Sequence, residues 1–177
     1  MTKPGIIHTS ESVFTRFTET CERIEEAALF AKPGDKWSVA ENIRHLVIST
    51  NMTTLAYRLP KFIVKWYAGT PNRKSRTLDE LKEKYYRKLE EGGRASARFV
   101  PKPIAVSYGK QKLIGSWKTA TAKYLAALDA NRTEEDLDNY LAKHPLLGRI
   151  TLRELCYFTI FHTEHHLRTI EGLTRQP

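Results

Sequence analysis

The chain has 177 residues, 41% of them hydrophobic, and is therefore long enough for one domain with a sizeable core. It has no run of about 18 apolar residues and no signal-like apolar stretch near its start, which predicts a soluble, cytoplasmic protein without a membrane partner. Cys21 and Cys156 lie far apart, each among apolar helical residues, so no disulfide framework is expected.

The formal net charge of +9 is concentrated in one part of the chain. The segment from Arg58 to Lys112 contains 15 Lys and Arg against 5 Asp and Glu, which leaves 14 against 15 elsewhere. Such a segment could contact nucleic acid, an anionic membrane or an acidic substrate, or it could form a solvated helical hairpin. We favour the hairpin. Nucleic acid is not an expected partner, because no recognised nucleic-acid motif accompanies the charges.

Two long helices are predicted in the first third of the chain. Apolar residues at three- and four-residue spacing place the first helix at about residues 10–30, and the breaking sequence at residues 32–35 ends it. The second helix begins after Ser38, which forms a capping-box pattern with Glu41 three residues later. It ends just before Pro60, which cannot continue a helix.

A long connection, from Pro60 to Gly109, is predicted between the second and third helices. Residues 77–98 have the pattern of a polar helix, since their apolar residues form only a thin stripe. The third long helix is expected at residues 113–131, with Trp117 and Leu128 facing inward. No strand pattern competes with these helices.

The fourth long helix follows a tight connection at residues 144–148. Thr151 and Glu154 repeat the capping-box pattern, and the helix is expected to continue to Gly172. Four long helices, two short connections and one long connection predict an all-α fold, a four-helix bundle with a crossover. Residues 1–177 are expected to form a single domain.

Two histidines of the fourth helix are candidate metal ligands. The four-residue spacing of His162 and His166 places both imidazoles on one face, one turn apart, where they can reach one ion. That face also carries Leu155 and Phe158 and is therefore expected to point into the core. His165 is rotated by about 60° from His162 and is expected at the rim of the site or in solvent.

The third ligand should come from another helix, and His45 is the remaining histidine on a well-defined long helix. Small and polar residues share its face, among them Ser38, Glu41, Asn42 and Ser49, which suggests a polar cavity. Three neutral histidines would leave coordination positions for water or substrate. The residues alone leave an alternative open, since core histidines are often only hydrogen-bonded. Glu41 could orient an imidazole or could serve only as a helix cap.

Two separated motifs resemble the DinB-like (DinB/YfiT-like) metalloenzyme superfamily. The segment Lys36-Trp37-Ser38, followed by a His-Leu pair at His45, is similar to the start of that family's second helix. The segment at residues 144–151, followed by His162-Thr163-Glu164-His165-His166-Leu167, resembles its final helix. The resemblance implies an up-down-down-up four-helix bundle with the metal ligands His45, His162 and His166. Many relatives carry a glutamine three residues after the last ligand, where this chain has Thr169.

The resemblance also implies a function and a cofactor. The metal is expected to be nickel or zinc, and the activity to be transfer of a low-molecular-weight thiol onto a small-molecule substrate. The alternatives are a metal-dependent hydrolase and a non-catalytic protein of the stress response that binds a metal or a small ligand. A metal held by three histidines suits either reaction, because it can bind a thiolate or lower the pKa of bound water to about 7.

A homodimer is predicted from the surface of the final helix. This helix is apolar almost all round, with further apolar residues beside or opposite the histidine face: Tyr157, Ile160, Phe161 and Leu167. Such a helix is normally buried on more than one side. The cover could be the connection at residues 60–109 or the same surface of a second chain. We favour the second chain, because the connection is highly charged.

Overall fold

The computed structural model describes residues 1–174 and is mostly helical, which confirms the expected fold class in its broad form. Within this part of the chain the α-helices are α1 (Lys3–Arg23), α2 (Glu26–Phe30), α3 (Val39–Arg58), α4 (Lys61–Ala68), α5 (Leu78–Glu90), α6 (Lys110–Asn131), α7 (Asp136–Asn139) and α8 (Leu152–Thr174). Short 3₁₀ turns occur at Ala97–Phe99 and Val106–Tyr108. No helix in the described range is long and apolar enough to cross a membrane.

The four long helices α1, α3, α6 and α8 pack around one core. Helix α3 contacts α6 and α8, and α1 contacts the same two helices. The largest side chains buried between them are aromatic, including Phe17, Tyr57, Trp117 and Phe161. Cys21 and Cys156 are free thiols within this core, as expected. The packing brings one face of α3 against one face of α8, and these faces carry the candidate ligands.

The predicted capping boxes are present at the starts of α3 and α8. The backbone N–H of Glu41 donates to Ser38 Oγ at 3.1 Å, and the Ser38 N–H donates to the Glu41 carboxylate at 2.7 Å. Thr151 and Glu154 make the same reciprocal pair at 3.2 Å and 2.9 Å. Each pair satisfies two backbone donors that a helix start would otherwise leave free. Both helices therefore begin where the sequence predicted.

The first helix differs from its predicted bounds of residues 10–30. It begins at Lys3, where Thr2 Oγ1 accepts a hydrogen bond from the Gly5 N–H and Pro4 occupies the first turn. Proline suits this position because the first helical N–H groups have no partner within the helix. The helix ends at Arg23, and extended backbone at Ile24 separates it from the short α2.

The expectation that no strand would occur is wrong for residues 141–151. Leu141–His144 and Gly148–Thr151 form an antiparallel hairpin, with Leu141 opposite Thr151 and His144 opposite Gly148. Gly148 has φ 75°, which a side chain would disfavour, and it lets the tight connection close. Strands of only four residues are too short to show a clear alternation of apolar and polar side chains.

Part of the basic segment between Arg58 and Lys112 has a structural role. The Arg73 guanidinium forms two hydrogen bonds, of 2.7 Å and 2.8 Å, with the buried carboxylate of Glu154 on α8. Arg76 contacts the same carboxylate through its backbone N–H and its side chain. These contacts fix the chain just before α5 to the start of α8. This part of the connection is therefore packed against the helices.

The apolar surface of α8 on which the dimer prediction rested is covered within the chain. Tyr157, Ile160, Phe161 and Leu167 are all at most 3% exposed. Helices α1 and α5 contact α8, and the Tyr85 ring of α5 lies 5.3 Å from the Phe161 ring. The cover thus comes in part from the connection itself.

Homodimerisation remains a prediction, and a dimer would have to use a surface other than this face of α8. Light scattering at micromolar concentration tests it, since a dimer has twice the 20.4 kDa mass of the chain. A single-chain mass that persists at high concentration would contradict the prediction. Charged substitutions at Ile160 or Phe161 are not a suitable test, because both side chains are buried and the chain would be expected to unfold.

Candidate metal centre

The structure brings together the three histidines that the sequence singled out. His162 and His166 lie one turn apart on α8, and His45 lies on the facing side of α3. The His45 Nε2 and His162 Nε2 atoms are 3.1 Å apart, as are the His162 Nε2 and His166 Nε2 atoms. One nitrogen from each ring lies within 4.8 Å of the other two, and all three residues are buried.

Hydrogen bonds at the opposite ring nitrogens fix how two of these imidazoles face the cluster. His45 Nδ1 lies 2.8 Å from the backbone carbonyl oxygen of Phe99, which can only accept, so this nitrogen carries the proton. His166 Nδ1 lies 2.7 Å from Asn42 Oδ1. The Asn42 amide donates to the Ser38 carbonyl at 2.8 Å, which directs its oxygen toward His166. In the neutral rings, Nε2 of His45 and His166 therefore presents a lone pair to the cluster.

The donor set and two of its nitrogen–nitrogen separations fit one divalent metal ion. Imidazole nitrogens bind such ions at about 2.0–2.1 Å. Two nitrogens at adjacent positions of an octahedron or a tetrahedron then lie roughly 2.9–3.4 Å apart. Both measured separations of 3.1 Å fall within this range. Three histidines also leave coordination positions free, which is typical of a catalytic site and not of a closed structural one.

Burial keeps the cluster neutral. Desolvation lowers the pKa of His162 well below its usual value, and the neighbouring His166 and His45 lower it further. Desolvation and the nearby His45 do the same to the pKa of His166. The pKa of His45 is also lowered by burial, although its hydrogen bond to Phe99 opposes the shift. Neutral imidazole is the form that binds metal, so no proton has to leave these rings before a cation binds near pH 7.

Aromatic rings enclose the cluster on two sides. The Trp37 ring centroid lies 5.0 Å from that of His45, and its plane is stacked on His166. Phe158 is stacked on His162 with ring centroids 4.6 Å apart. These apolar walls restrict the motion of the imidazoles and the access of water. The sequence motif at residues 36–38 included Trp37, but nothing in its spacing indicated that the ring would contact the histidines.

The other polar residues considered from the sequence do not join the cluster. The Glu41 carboxylate caps α3 and lies 3.8 Å from Lys32 Nζ, so its contacts are those of a helix cap. His165 is half-buried against the rings of Tyr85 and Tyr86. Thr169 is exposed, and its hydroxyl donates to the His165 carbonyl of its own helix. The outer contacts are made instead by Asn42 and the Phe99 carbonyl.

Replacement of Asn42 tests the importance of these outer contacts. Asn42→Ala should weaken metal binding about 10- to 100-fold, because the His166 ring loses the acceptor that fixes its tautomer and orientation. Competition with a chromophoric chelator would measure the affinity. Asn51→Ala is the matched control, because Asn51 is exposed on the same helix. Equal affinities of the two variants would show that the Asn42 contact does not orient a ligand.

A cavity of about 220 Å³ opens beside the cluster, with His45 and His162 in its wall. Most of the remaining wall is apolar and comes from α3, α4, α5, the β-hairpin and α8. Ser49 and Thr53 of α3 and His144 of the hairpin add polar groups. No Asp or Glu of the described residues lines it. A small molecule in this cavity would lie against two of the three candidate ligands.

Comparison with known proteins supports the relationship suggested by the two motifs. The family model of the DinB superfamily matches residues 11–170, a range that includes α3, α8 and all three histidines. Searches of curated proteins and of solved structures gave no match. The match extends over most of the chain and is not confined to the two motifs. The chain therefore belongs to the DinB superfamily.

Proposed function

We propose that this protein is a metal-dependent enzyme in which His45, His162 and His166 hold one divalent ion, nickel or zinc. In this proposal, the four long helices have the up-down-down-up order expected from the family resemblance. The observation that carries the proposal is the convergence of three Nε2 atoms in a buried cluster. The lone pairs of His45 and His166 both face His162 Nε2 at 3.1 Å, so a proton or a cation must lie between these nitrogens.

The substrate would lie in the apolar cavity, beside the free coordination positions. The chemistry supplied by a bound divalent ion is the lowering of the pKa of a thiol or water that it coordinates. The chain's own residues hold the imidazoles in place through Asn42 and Phe99 and limit the access of water through the apolar walls. Desolvation of this kind strengthens electrostatic interactions within the site.

The nucleophile should come from a cosubstrate, because neither cysteine of the chain is suited to the role. Burial raises the pKa of Cys21 to about 12 and that of Cys156 to about 11, so both remain protonated thiols. The Cys156 sulfur is also hydrogen-bonded to the buried Tyr57 hydroxyl. A low-molecular-weight thiol is therefore the proposed cosubstrate.

Thiol transfer fits the cavity better than hydrolysis. Metal-dependent hydrolysis is commonly assisted by a carboxylate general base, and no Asp or Glu of the described residues lines the cavity. A thiol needs less assistance, because its pKa is already near 8.5 before metal coordination. In attack on an epoxide, an S–C bond forms and a C–O bond breaks. The thiol proton passes to solvent, and the alkoxide takes a proton from solvent.

A kinetic assay tests the proposal. Metal-loaded protein should accelerate the reaction of a small cellular thiol with an epoxide or an activated aryl halide, and His45→Ala should remove the acceleration. His165→Ala is the matched control, since His165 lies beside the cluster but does not contribute a ligand atom to it. If a broad panel of thiols shows no metal-dependent rate, the non-catalytic binding protein becomes the better description.

A further inference from the structure

His144 lies in the wall of the same cavity as His45 and His162, although its position in the sequence suggested only a loop residue. It is the last residue of the first strand of the hairpin. Its ring lies 4.2 Å from the Phe158 ring, and Phe158 in turn is stacked on His162. One phenyl ring thus lies between His144 and the candidate metal centre.

The hairpin turn fixes the tautomer of this imidazole. His144 Nδ1 accepts hydrogen bonds from the backbone N–H groups of Leu146, at 3.2 Å, and Leu147, at 3.1 Å. A nitrogen that accepts cannot also carry a proton, so the neutral ring has its proton on Nε2. No residue in the described range 1–174 accepts from this Nε2–H. It is therefore a fixed donor without a protein acceptor.

The charges around His144 favour an anionic acceptor. Arg98 and Lys143 line the same cavity, and no Asp or Glu of residues 1–174 does so. Burial, assisted by the cations of Arg98 and Lys84, lowers the pKa of His144 to about 4, so the ring remains a neutral donor near pH 7. Carboxylates accept strongly from such donors. Most of the rest of the wall is apolar, as expected for a ligand with an apolar body.

We propose that the cavity binds an apolar carboxylate, one oxygen of which accepts a hydrogen bond from His144 Nε2–H while its apolar body lies along Phe158 toward the histidine cluster. A volume of about 220 Å³ suits a molecule with the bulk of a phenyl ring and a short chain. This inference rests on the proposed function, because it identifies the class of electrophilic substrate that the histidine site would act on. It also gives His144 a role in positioning that is separate from metal binding.

Two substitutions separate the two nitrogens of His144. Asparagine places its side-chain oxygen where Nδ1 lies, so His144→Asn keeps the acceptor for the turn and removes the Nε2–H donor. Glutamine can place its amide N–H near the position of Nε2, so His144→Gln keeps a donor toward the cavity and weakens the turn. Comparing the two variants distinguishes loss of the ligand contact from damage to the hairpin. Thermal unfolding would report damage to the hairpin separately.

Calorimetric titration with 4-phenylbutyrate and its neutral amide, on metal-free and metal-loaded protein, tests the proposal. We expect the carboxylate to bind both forms with similar affinity, and the amide to bind at least about tenfold more weakly. His144→Asn should weaken carboxylate binding about tenfold or more, and His144→Gln should retain most of it. Neither variant should change metal uptake.

Three results would overturn this inference. The first is no binding of 4-phenylbutyrate at millimolar concentration, and the second is an equal affinity for the amide. The third is binding that His144→Asn does not weaken; if that binding also requires the metal, the carboxylate lies on the metal ion. Because the main readout uses metal-free protein, carboxylate binding can persist even if no thiol transfer is found. The failure of one proposal is therefore distinguishable from the failure of the other.

Discussion

His162→Ala is expected to abolish the binding of nickel or zinc, whereas the parent protein should bind about one equivalent per chain. His162 Nε2 lies 3.1 Å from the Nε2 atoms of both His45 and His166 and is the central member of the cluster. Its loss leaves two ligands, which is fewer than the three or four of known protein zinc sites. Equilibrium dialysis followed by metal analysis would measure the stoichiometry.

His165→Ala is the matched control for this experiment. It removes a half-buried histidine from the same helix but leaves the three converging nitrogens unchanged. Binding by the His162→Ala variant as tight as that of the parent would show that the three histidines are not the ligand set. A loss of binding in both variants would indicate a general effect on α8, which circular dichroism of the metal-free proteins would detect.

Metal binding should also persist to a lower pH than free imidazole would allow. Unperturbed histidine has a pKa of about 6.5, which suggests competition by protons below about pH 6. Burial lowers the pKa of each cluster histidine, so the neutral, metal-binding form extends further into the acid range. If the affinity for the metal is already halved at pH 6.5, the assignment of these buried histidines as the ligands is contradicted.

The lowered pKa values also affect the metal-free protein. It should lose stability as the pH falls below about 6.5, because the unfolded chain binds protons at a higher pH than the folded chain.

Glu154→Ala is expected to reduce the free energy of unfolding by about 2–4 kcal/mol. The Glu154 side chain is fully buried and accepts from Arg73, from Arg76 and from the Thr151 backbone N–H. The lower part of the range for a broken buried ion pair applies, because the two arginine side chains are 32% and 28% exposed. Urea unfolding monitored by circular dichroism would measure the difference.

Glu164→Ala provides the control, because Glu164 lies on the same helix and its carboxylate is 3.6 Å from a largely exposed Arg16 guanidinium. Its loss should change stability by less than about 1 kcal/mol. Equal effects of the two substitutions would mean that the buried carboxylate does not secure the connection to α8.

Burial would raise the pKa of Glu154, but the hydrogen bonds that its carboxylate accepts outweigh this effect and lower the pKa. Its stabilising contribution is therefore present above about pH 4.3 and is lost as the pH falls further.

Local patterns in the sequence determined the starts of the two helices that carry the site. The capping boxes of Ser38 with Glu41 and of Thr151 with Glu154 involve residues only three positions apart, so their geometry follows from helix formation itself. The shared face of His162 and His166 follows from the 3.6-residue turn in the same way. The pairing of His45 with them was suggested from its polar helix face and from the family motifs.

Contacts between distant segments were decided only by the tertiary structure. Asn42 and His166 are 124 positions apart, and His45 and the Phe99 carbonyl are 54 positions apart. No periodicity within one helix specifies which side chain of another helix will meet it, and a backbone carbonyl leaves no trace in residue type. The same reason explains why the sequence did not reveal the ion pair of Arg73 with Glu154 or the place of His144 in the cavity wall. Which histidines are candidate ligands could thus be read from local patterns and family motifs, whereas the orientation of their rings depends on how α3, α8 and the long connection pack together.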